Sequence, residues 1–370
     1  MAGAHPAGRN GPLSHIADLP ARVAGLEGVA AERAARLLAV EPIDGRTDPP
    51  PGLEPWLERT FGSADAVREQ HLVRVTNLMT LDSTVFAGLR SRRPMDTRAT
   101  ADLAAEIERT RGDAFCHPEA ETPANAFGRV RGRRMVSGAN AAMADAHHGV
   151  LVFDEHDPLA FDADLVADLL DTGRAWAELA READPAAVEY LLIWNCLWRA
   201  GGSIVHGHAQ VLAGDRPHAR LGRFRGDADA YLAVTGASLI ADLVDVHADL
   251  GLAIRPARDV AVLAHLTPMK EREILVVGEP GMDERAPAFA DAVGRIVVAF
   301  RDRLGVRSFN LALWRPPLDA TNDPMPPVVR LVDRGAPSVR PSDIGAMELY
   351  GSPIVGSDPY EVIEALRDLR

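Results

Sequence analysis

The stretch Gly201-Gly202-Ser203-Ile204-Val205-His206-Gly207-His208-Ala209-Gln210-Val211-Leu212 decides the reading of this chain. Taken as a β-strand, its period-two alternation puts His206, His208 and Gln210 on one face. Val205, Gly207, Ala209 and Val211 fall on the other, which is small or apolar and suits packing on a helix or a second layer. The first face presents two imidazoles and an amide to one place, and such groups need partners when buried. The Gly-Gly-Ser lead-in leaves the backbone free to approach a charged ligand closely. An ordinary buried strand with two incidental histidines is the plainer alternative. Three polar side chains in a row on one face argue for a site.

Composition sets the frame. The chain has 370 residues, 47% hydrophobic and 25% charged, enough to bury a large core as two domains or one duplicated domain. A formal net charge of −13 argues against a general binder of nucleic acid or of an anionic membrane. It leaves room for a small phosphorylated ligand in a locally positive or neutral pocket. Two cysteines, Cys116 and Cys196, make no disulfide scaffold and fit a reducing compartment. No apolar run reaches the length of a membrane span, and Met1 to Asn10 lack the layout of a secretory signal. A soluble, cytoplasmic protein is expected.

Residues 1 to about 15 carry Gly, Ala, Pro and His without pattern, and disorder is expected there. Residues 16–40 read as helical, 48–52 as a stiff Pro-rich break, and 100–111 as a short amphipathic helix stopped by Gly112. Residues 1–112 are thus expected to form a mostly helical extension, over the site or at a dimer contact. The basic run Arg90 to Arg93 before Pro94 reads as a solvated cluster rather than a phosphate loop. Asp113-Ala114-Phe115-Cys116-His117-Pro118-Glu119 is a turn rich in metal-ligand types.

Further on, 147–153 reads as a buried strand, 164–183 as an amphipathic helix, 190–198 as a strand carrying Asn195, and 214–228 as a polar connection. The order then repeats, with strands at 259–265 and 273–277, a helix at 286–304 and a strand at 308–314. The stretches 192–198 and 308–314 look like copies, yet the second runs on into 328–332, where a His-x-His strand would be expected. The expected architecture is α+β with an internal duplication. Residues 113–215 form the catalytic half and 216–370 a second half on the sugar or acceptor side.

An unperturbed imidazole is half neutral near pH 6.5 (roughly), so at neutral pH it is a competent nucleophile toward phosphorus. His208, central on its face, is the expected nucleophile, with His206 beside it. Gln210, Ser203 and Asn195 can donate to phosphoryl oxygens, and Gly202 lets backbone approach them. Gln210 cannot act as general acid or base, so water is poorly activated and a nucleotidyl-histidine should wait for a phosphate-bearing acceptor. That favours transfer over hydrolysis.

His206-Gly207-His208-Ala209-Gln210 resembles the His-x-His-x-Gln signature of the transferase branch of the histidine-triad superfamily, typified by galactose-1-phosphate uridylyltransferase. Asn195, thirteen residues before His208, and Ser203, five before it, match that family's phosphate-contacting Asn and Ser. His147-His148 with the following apolar strand and His156 resembles the strand before the family's first helix. Ile344-Gly345-Ala346-Met347-Glu348 resembles its sugar-binding Gly-x-Glu element, and Asn140 its base- or ribose-contacting Asn. The resemblance covers roughly residues 113–370 and implies a duplicated half-barrel, a homodimer and ping-pong transfer through a nucleotidyl-histidine. A nucleoside diphosphate sugar, or a nucleoside triphosphate, would donate the nucleotide to a sugar 1-phosphate.

The chain departs from that pattern twice. The family's zinc-holding Cys-x-x-Cys reads here Asp113-Ala114-Phe115-Cys116, with Asp in the first position. Zinc could still be held by Asp113, Cys116, His156 and His206, or the residues could persist as a hydrogen-bonded cluster. No Gln follows Glu348 where the family contacts its hexose, which puts galactose in doubt. Two rivals remain: a phosphorylase using inorganic phosphate on the same intermediate, and a non-catalytic nucleotide-binding protein on a retired fold. Of the other candidates, His265 reads as a satisfied core histidine, and Trp194 and Trp198 as core. His5, His15, His71, His218 and His247 are scattered. No Gly-rich stretch reads as a Walker or Rossmann cradle.

Overall fold

Runs with apolar residues at every second position become strands in this chain, and runs at spacings of three and four become helices. The computed structural model describes residues 15–92, 102–321, 323–338 and 346–369. The N-terminal region carries α1 (Leu19–Ala24), α2 (Gly28–Leu37), β1 (Leu38–Arg46), α3 (Glu54–Phe61), α4 (Ala64–Arg68), β2 (Glu69–Asn77), β3 (Ser83–Phe86) and α5 (Leu103–Arg109). A short α6 (Pro118–Glu121) leads into the first half, with β4 (Met135–Ala139), β5 (His147–Phe153), α7 (Ala163–Ala183), β6 (Glu189–Cys196) and β7 (His208–Gly214). The rest comprises α8 (Ala219–Thr235), α9 (Leu239–Asp249), β8 (Ala253–Ala257), β9 (Val260–Ala264), β10 (Glu271–Val277), α10 (Pro287–Asp302), β11 (Phe309–Trp314), β12 (Val328–Asp333), β13 (Ile354–Val355) and α11 (Pro359–Ala365).

One nine-stranded sheet organises the molecule, in the order β4-β5-β7-β6-β11-β12-β10-β9-β8. It is the expected duplication. The first half runs hairpin, helix, two strands (β4, β5, α7, β6, β7), and the second does the same (β9, β10, α10, β11, β12). The halves meet where β6 pairs antiparallel with β11, Asn195 facing Asn310.

Register fixes which residues correspond. The N–H of Asn140 donates to His148 O at 2.9 Å across the first hairpin, and that of His265 to Glu273 O at 3.0 Å across the second. Val150 faces Gln210 on β7 as Leu275 faces Arg330 on β12, and Val152 faces His208 as Val277 faces Val328. Asn140, His148, Gln210 and His208 therefore correspond to His265, Glu273, Arg330 and Val328. By the same rule Ile193 matches Ala312, and Asn195 matches Trp314.

Helices α7 and α10 lie side by side on one face of the sheet. Gly294 permits their approach, since a Cβ there would sit 2.9 Å from Ala163. Beneath them Trp176, Trp194, Phe289, Phe300 and Phe309 are fully buried. Truncating any one would cost about 3–5 kcal/mol. His208 and Gln210 point from the opposite face. Over the second half that face is sealed by α8 and α9, with Leu221, Ile240, Leu243 and Val244 on Leu263, Leu275, Val277 and Val328. Over the first half the apolar cover, among the described residues, is Phe115 with Ile204 on Val150 and Val152.

The α+β class and the elements of both halves follow the sequence closely. Residues 16–40 are an exception: Gly25 and Gly28 divide the helix, and Leu38-Ala39-Val40 already belong to β1. The helix-rich extension also contributes β1, β2 and β3, which join β13 in a four-stranded sheet of order β1-β2-β3-β13. The polar connection of 214–228 is largely the first part of α8, where few apolar residues and two glycines hide the helical period. Residues 1–14, the end of the basic run at Arg93-Pro94, and Ile344-Gly345 lie outside the described residues.

Candidate active site

Two side chains of the His-x-His-x-Gln motif share a face as alternation requires, and one does not. The strand begins only at His208. His206 precedes it in a bend, and its ring turns away to a second cluster. His208 is buried on the sheet with Phe115 packed edge-on at 5.1 Å. Its Nδ1 lies 2.8 Å from the carbonyl oxygen of His206. A carbonyl can only accept, so Nδ1 carries the hydrogen and Nε2 of the neutral ring holds a free lone pair. Burial holds this imidazole below the usual histidine range, partly offset by that same hydrogen bond. His208 is thus a neutral base of fixed tautomer at neutral pH.

Gln210 owes its orientation to a residue the motif does not contain. The N–H of Ala144 donates to Nδ1 of His148 at 3.1 Å, so the hydrogen of that ring sits on Nε2. Nε2 lies 2.9 Å from Oε1 of Gln210 and donates to it. The Gln210 oxygen is thereby engaged, and its amide N–H groups are left for a ligand. Asn140 Oδ1 accepts from Ala142 N at 2.9 Å, which turns Nδ2 toward the same His148 nitrogen at 3.2 Å. With hydrogen on both atoms this is a contact, not a bond, and Asn140 keeps a donor in need of an acceptor. His148 could have been found from the sequence. It stands two residues before Val150 and so shares its face of β5.

Asn195 sits at the junction of the halves. Its Oδ1 accepts from Nδ2 of Asn310 at 2.7 Å, and Asn310 also donates to Ala200 O at 2.7 Å. The Asn195 oxygen is occupied and its amide N–H groups remain to donate. Asn310 was not marked by the sequence. Gly202 lies where the loop crosses the end of β6, and a Cβ would meet Asn195 O at 2.8 Å. It brings Ser203, exposed on that loop, over the end of β6.

The second cluster gathers Asp113, Cys116, His156 and His206, with ligand-type atoms all within 4.8 Å of one another. His206 Nε2 donates to Phe153 O at 2.8 Å, and His156 Nε2 to Ile107 O at 2.9 Å. Both rings therefore present bare Nδ1 atoms, which face each other at 3.1 Å. Cys116 Sγ lies 3.4 Å from one and 3.5 Å from the other. Asp113 Oδ1 is 3.7 Å from His206 and also caps the turn through Phe115 N. Two lone pairs held head to head by carbonyls call for a cation between them, and the donor set suits zinc. Burial lowers the affinity of His206 for a proton, which leaves its Nδ1 free for a metal. A cavity of about 660 Å³ opens beside this cluster, lined by Arg111, Arg131 and His156 among others.

Glu348 is not brought to His208. It pairs with Lys270, in the turn between β9 and β10, and three strands separate β10 from β7. His15, His71, His218 and His247 lie instead against Asp358, Asp44, Asp145 and Leu243 O, and Trp194 is core as expected.

No family model and no curated protein matches this sequence. Solved structures do. An ADP-glucose phosphorylase from Arabidopsis thaliana with bound ADP-glucose matches with a TM-score of 0.62 and 16% identity, over 80% of this chain and 98% of its own. A GalT-like protein from Arabidopsis thaliana gives 0.57 and 17%, over 70% of this chain and 93% of its own. A uridylyltransferase gives 0.56 and 15%, over 70% and 91%. At these identities the likeness is one of fold: the chain shares the α+β architecture of these three structures.

Proposed function

We propose that the protein is a nucleotidyltransferase that moves a nucleoside monophosphate through a covalent adduct on His208. The observation that carries the reading is the 2.8 Å bond from His208 Nδ1 to the His206 carbonyl, which leaves Nε2 as a fixed, neutral nucleophile. In the first step the Nε2 lone pair forms a bond to the α-phosphorus of a nucleoside diphosphate sugar. The bond from that phosphorus to the bridging oxygen breaks, and its electron pair leaves with the sugar 1-phosphate. The ring then carries positive charge, which the His206 carbonyl stabilises through the Nδ1 hydrogen. Gln210 and Asn195, with Ser203 on the loop, are the donors for the non-bridging oxygens. In the second step an oxygen of an acceptor phosphate attacks the phosphorus, the N–P bond breaks, and His208 is neutral again.

The acceptor in the first reading is a sugar 1-phosphate, and a nucleoside triphosphate is an alternative donor. A second reading, with inorganic phosphate as acceptor, is favoured by two observations. Glu348, the sugar-contacting candidate, is held by Lys270 away from His208. The structural match over 98% of its own length is a phosphorylase of ADP-glucose.

Asp113, Cys116, His156 and His206 would hold zinc. When bound, the ion supplies a fixed positive centre that ties the bend at His206 to the 113–116 turn. His206 thus keeps its carbonyl in place for His208. Replacing Cys116 by Ser should lower the zinc content measured by elemental analysis and lower the melting temperature. Full zinc occupancy at unchanged melting temperature would remove Cys116 from the ligand set.

Intact mass after brief incubation with nucleoside diphosphate sugars, without acceptor, tests the central step. The expected result is one added nucleoside monophosphate, labile to acid and absent from His208→Ala. Discharge by phosphate against discharge by sugar 1-phosphate separates the two acceptors. Bound nucleotide without any adduct or turnover, unchanged in His208→Ala, would leave a binding protein.

A further inference from the structure

The second half keeps a polar trio at the positions that frame the site in the first. Register places His265, Glu273 and Arg330 where Asn140, His148 and Gln210 stand, and Val328 and Trp314 where His208 and Asn195 stand. Nothing in the proposed transfer uses them. His265, Arg330, Val328 and Trp314 line a narrow slot of about 40 Å³ whose other walls include Phe224, Leu243 and Leu275. The slot shares Thr80, Asp82, Phe224 and Trp314 with an open groove of about 320 Å³ that also meets Arg220 and Arg223.

His265 is unsatisfied in the slot. Its side chain is 7% exposed. Nε2 contacts Thr267 Oγ1 at 3.1 Å, and Nδ1 has no hydrogen-bond partner among the described residues. A buried ring nitrogen left unpaired costs about 1–3 kcal/mol, so its retention calls for a partner. The stacked His247 ring, at 5.8 Å, offers none, since its Nδ1 donates to Leu243 O and its Nε2 accepts from Leu266 N.

We infer that this slot and groove form a second, non-catalytic binding site for a nucleoside, with the edge of the base at His265 and the ribose at the mouth. The walls decide the class. A sugar pushed inward would bury hydroxyls against Ile240, Leu243, Leu275, Val277 and Val328, where Arg330 is already paired with Glu273 and His265 Nδ1 is the unpaired group. A heteroaromatic ring buries its apolar faces there and presents one polar edge. The slot admits that edge, and the wider groove takes the rest. Thr80 and Asp82, shared by slot and groove, stand at the rim for ribose hydroxyls.

Phosphate is not the recognised group. Each arginine at the site already has a carboxylate: Arg220 with Asp82 at 2.8 Å, Arg223 with Asp227 at 3.7 Å, and Arg330 with Glu273. Burial also keeps His265 neutral, well below the usual histidine range, so it adds no positive charge. Val328 in place of the nucleophile makes the site one of binding alone.

The test is calorimetric titration of the full chain with adenosine, guanosine, cytidine and uridine, and with their 5′-monophosphates. For at least one base, a binding event of one nucleoside per chain should persist in Gln210→Ala. It should weaken at least tenfold in Thr80→Trp, which plugs the mouth, and in His265→Phe, which keeps the ring shape and removes its nitrogens. The monophosphate should bind within about threefold of the nucleoside. The inference is overturned if no nucleoside binding responds to either variant. It is equally overturned if the monophosphate is preferred tenfold or more, because the arginines would then be reading phosphate. Absence of an adduct on His208 would refute the transfer reaction while leaving this event measurable, so the two readings fail separately.

Discussion

The two halves of the sheet share one topology and one register, and they differ in what was put at equivalent points. On the first half, His208 and Gln210 stand under a thin cover of Phe115 and Ile204. On the second, Val328 and Arg330 stand under α8 and α9, packed with Leu221, Ile240, Leu243 and Val244. The first half spends its exposed face on a nucleophile and donors. The second covers its face with apolar side chains except for the narrow slot beside His265, and ties its remaining charges in pairs. A duplicated scaffold therefore does not duplicate a site: the strand geometry is common, and the chemistry lies in a few side chains and in what covers them.

The largest expected effect is the one that asks whether His208 alone carries the chemistry. His208→Ala should lower transfer by about 10⁴-fold or more, since the nucleophile itself is gone. Val328→His in that background should form no adduct detectable by intact mass. A histidine there faces α8 and α9, and Trp314 replaces the Asn195 donor. An adduct on residue 328 would show that the halves differ only in the missing imidazole, and the comparison would fail.

The second effect concerns the price of sealing the other face. His247 is fully buried there, and burial pushes it down to about 4, against an ordinary value near 6.5. His265, stacked beside it and near Arg330, Arg220 and Asp82, is lowered as well. A histidine depressed in the folded state is protonated first in the unfolded chain. Its contribution is therefore complete above about pH 6.5 and falls as the pH drops toward 4. For His247 alone the loss is roughly 3 kcal/mol across that window. Urea unfolding at pH 7 and at pH 4.5 should show it, with a shallower slope in His247→Gln, whose amide can bond to both Leu243 O and Leu266 N. Equal slopes in the two proteins would mean that the second half does not hold His247 neutral.

How much of this was legible follows from the range of each signal. The duplication showed in the order of elements, because strands and helices are written in local periodicity. The site strand showed too, since His208, Gln210 and Asn195 fall on one face by alternation and register. His206 did not follow, because a bend begins where the motif suggests a strand, and a bend has no period. The correspondence of Asn195 with Trp314 was hidden as well. The two strands that look like copies, 192–198 and 308–314, correspond at a register that only the neighbouring strands fix. Asn310 acts across a strand partner 115 residues away in sequence. No local pattern carries that information. The N-terminal sheet escaped for the same reason, since β3 is completed by β13 from the far end of the chain.

The smallest effect bears on how the first half aims its donors. Gln210→Ala removes one donor to a phosphoryl oxygen and should slow transfer by about 100-fold. His148→Ala leaves that donor in place and removes the N–H that engages Gln210 Oε1 at 2.9 Å, together with the acceptor for Ala144 N. The amide is then free to turn, and a slowing of about tenfold is expected, mostly in kcat. If His148 acts only through Gln210, the double variant should be no slower than Gln210→Ala, because a positioning group has nothing to position once its target is gone. Multiplicative losses in that cycle would mean that His148 meets the substrate itself. The equivalent exchange in the second half, Glu273→Ala, should leave transfer unchanged and instead release Arg330. A tenfold loss of transfer from Glu273→Ala would show the two faces to be coupled through β6 and β11, and the division of labour between the halves would have to be redrawn.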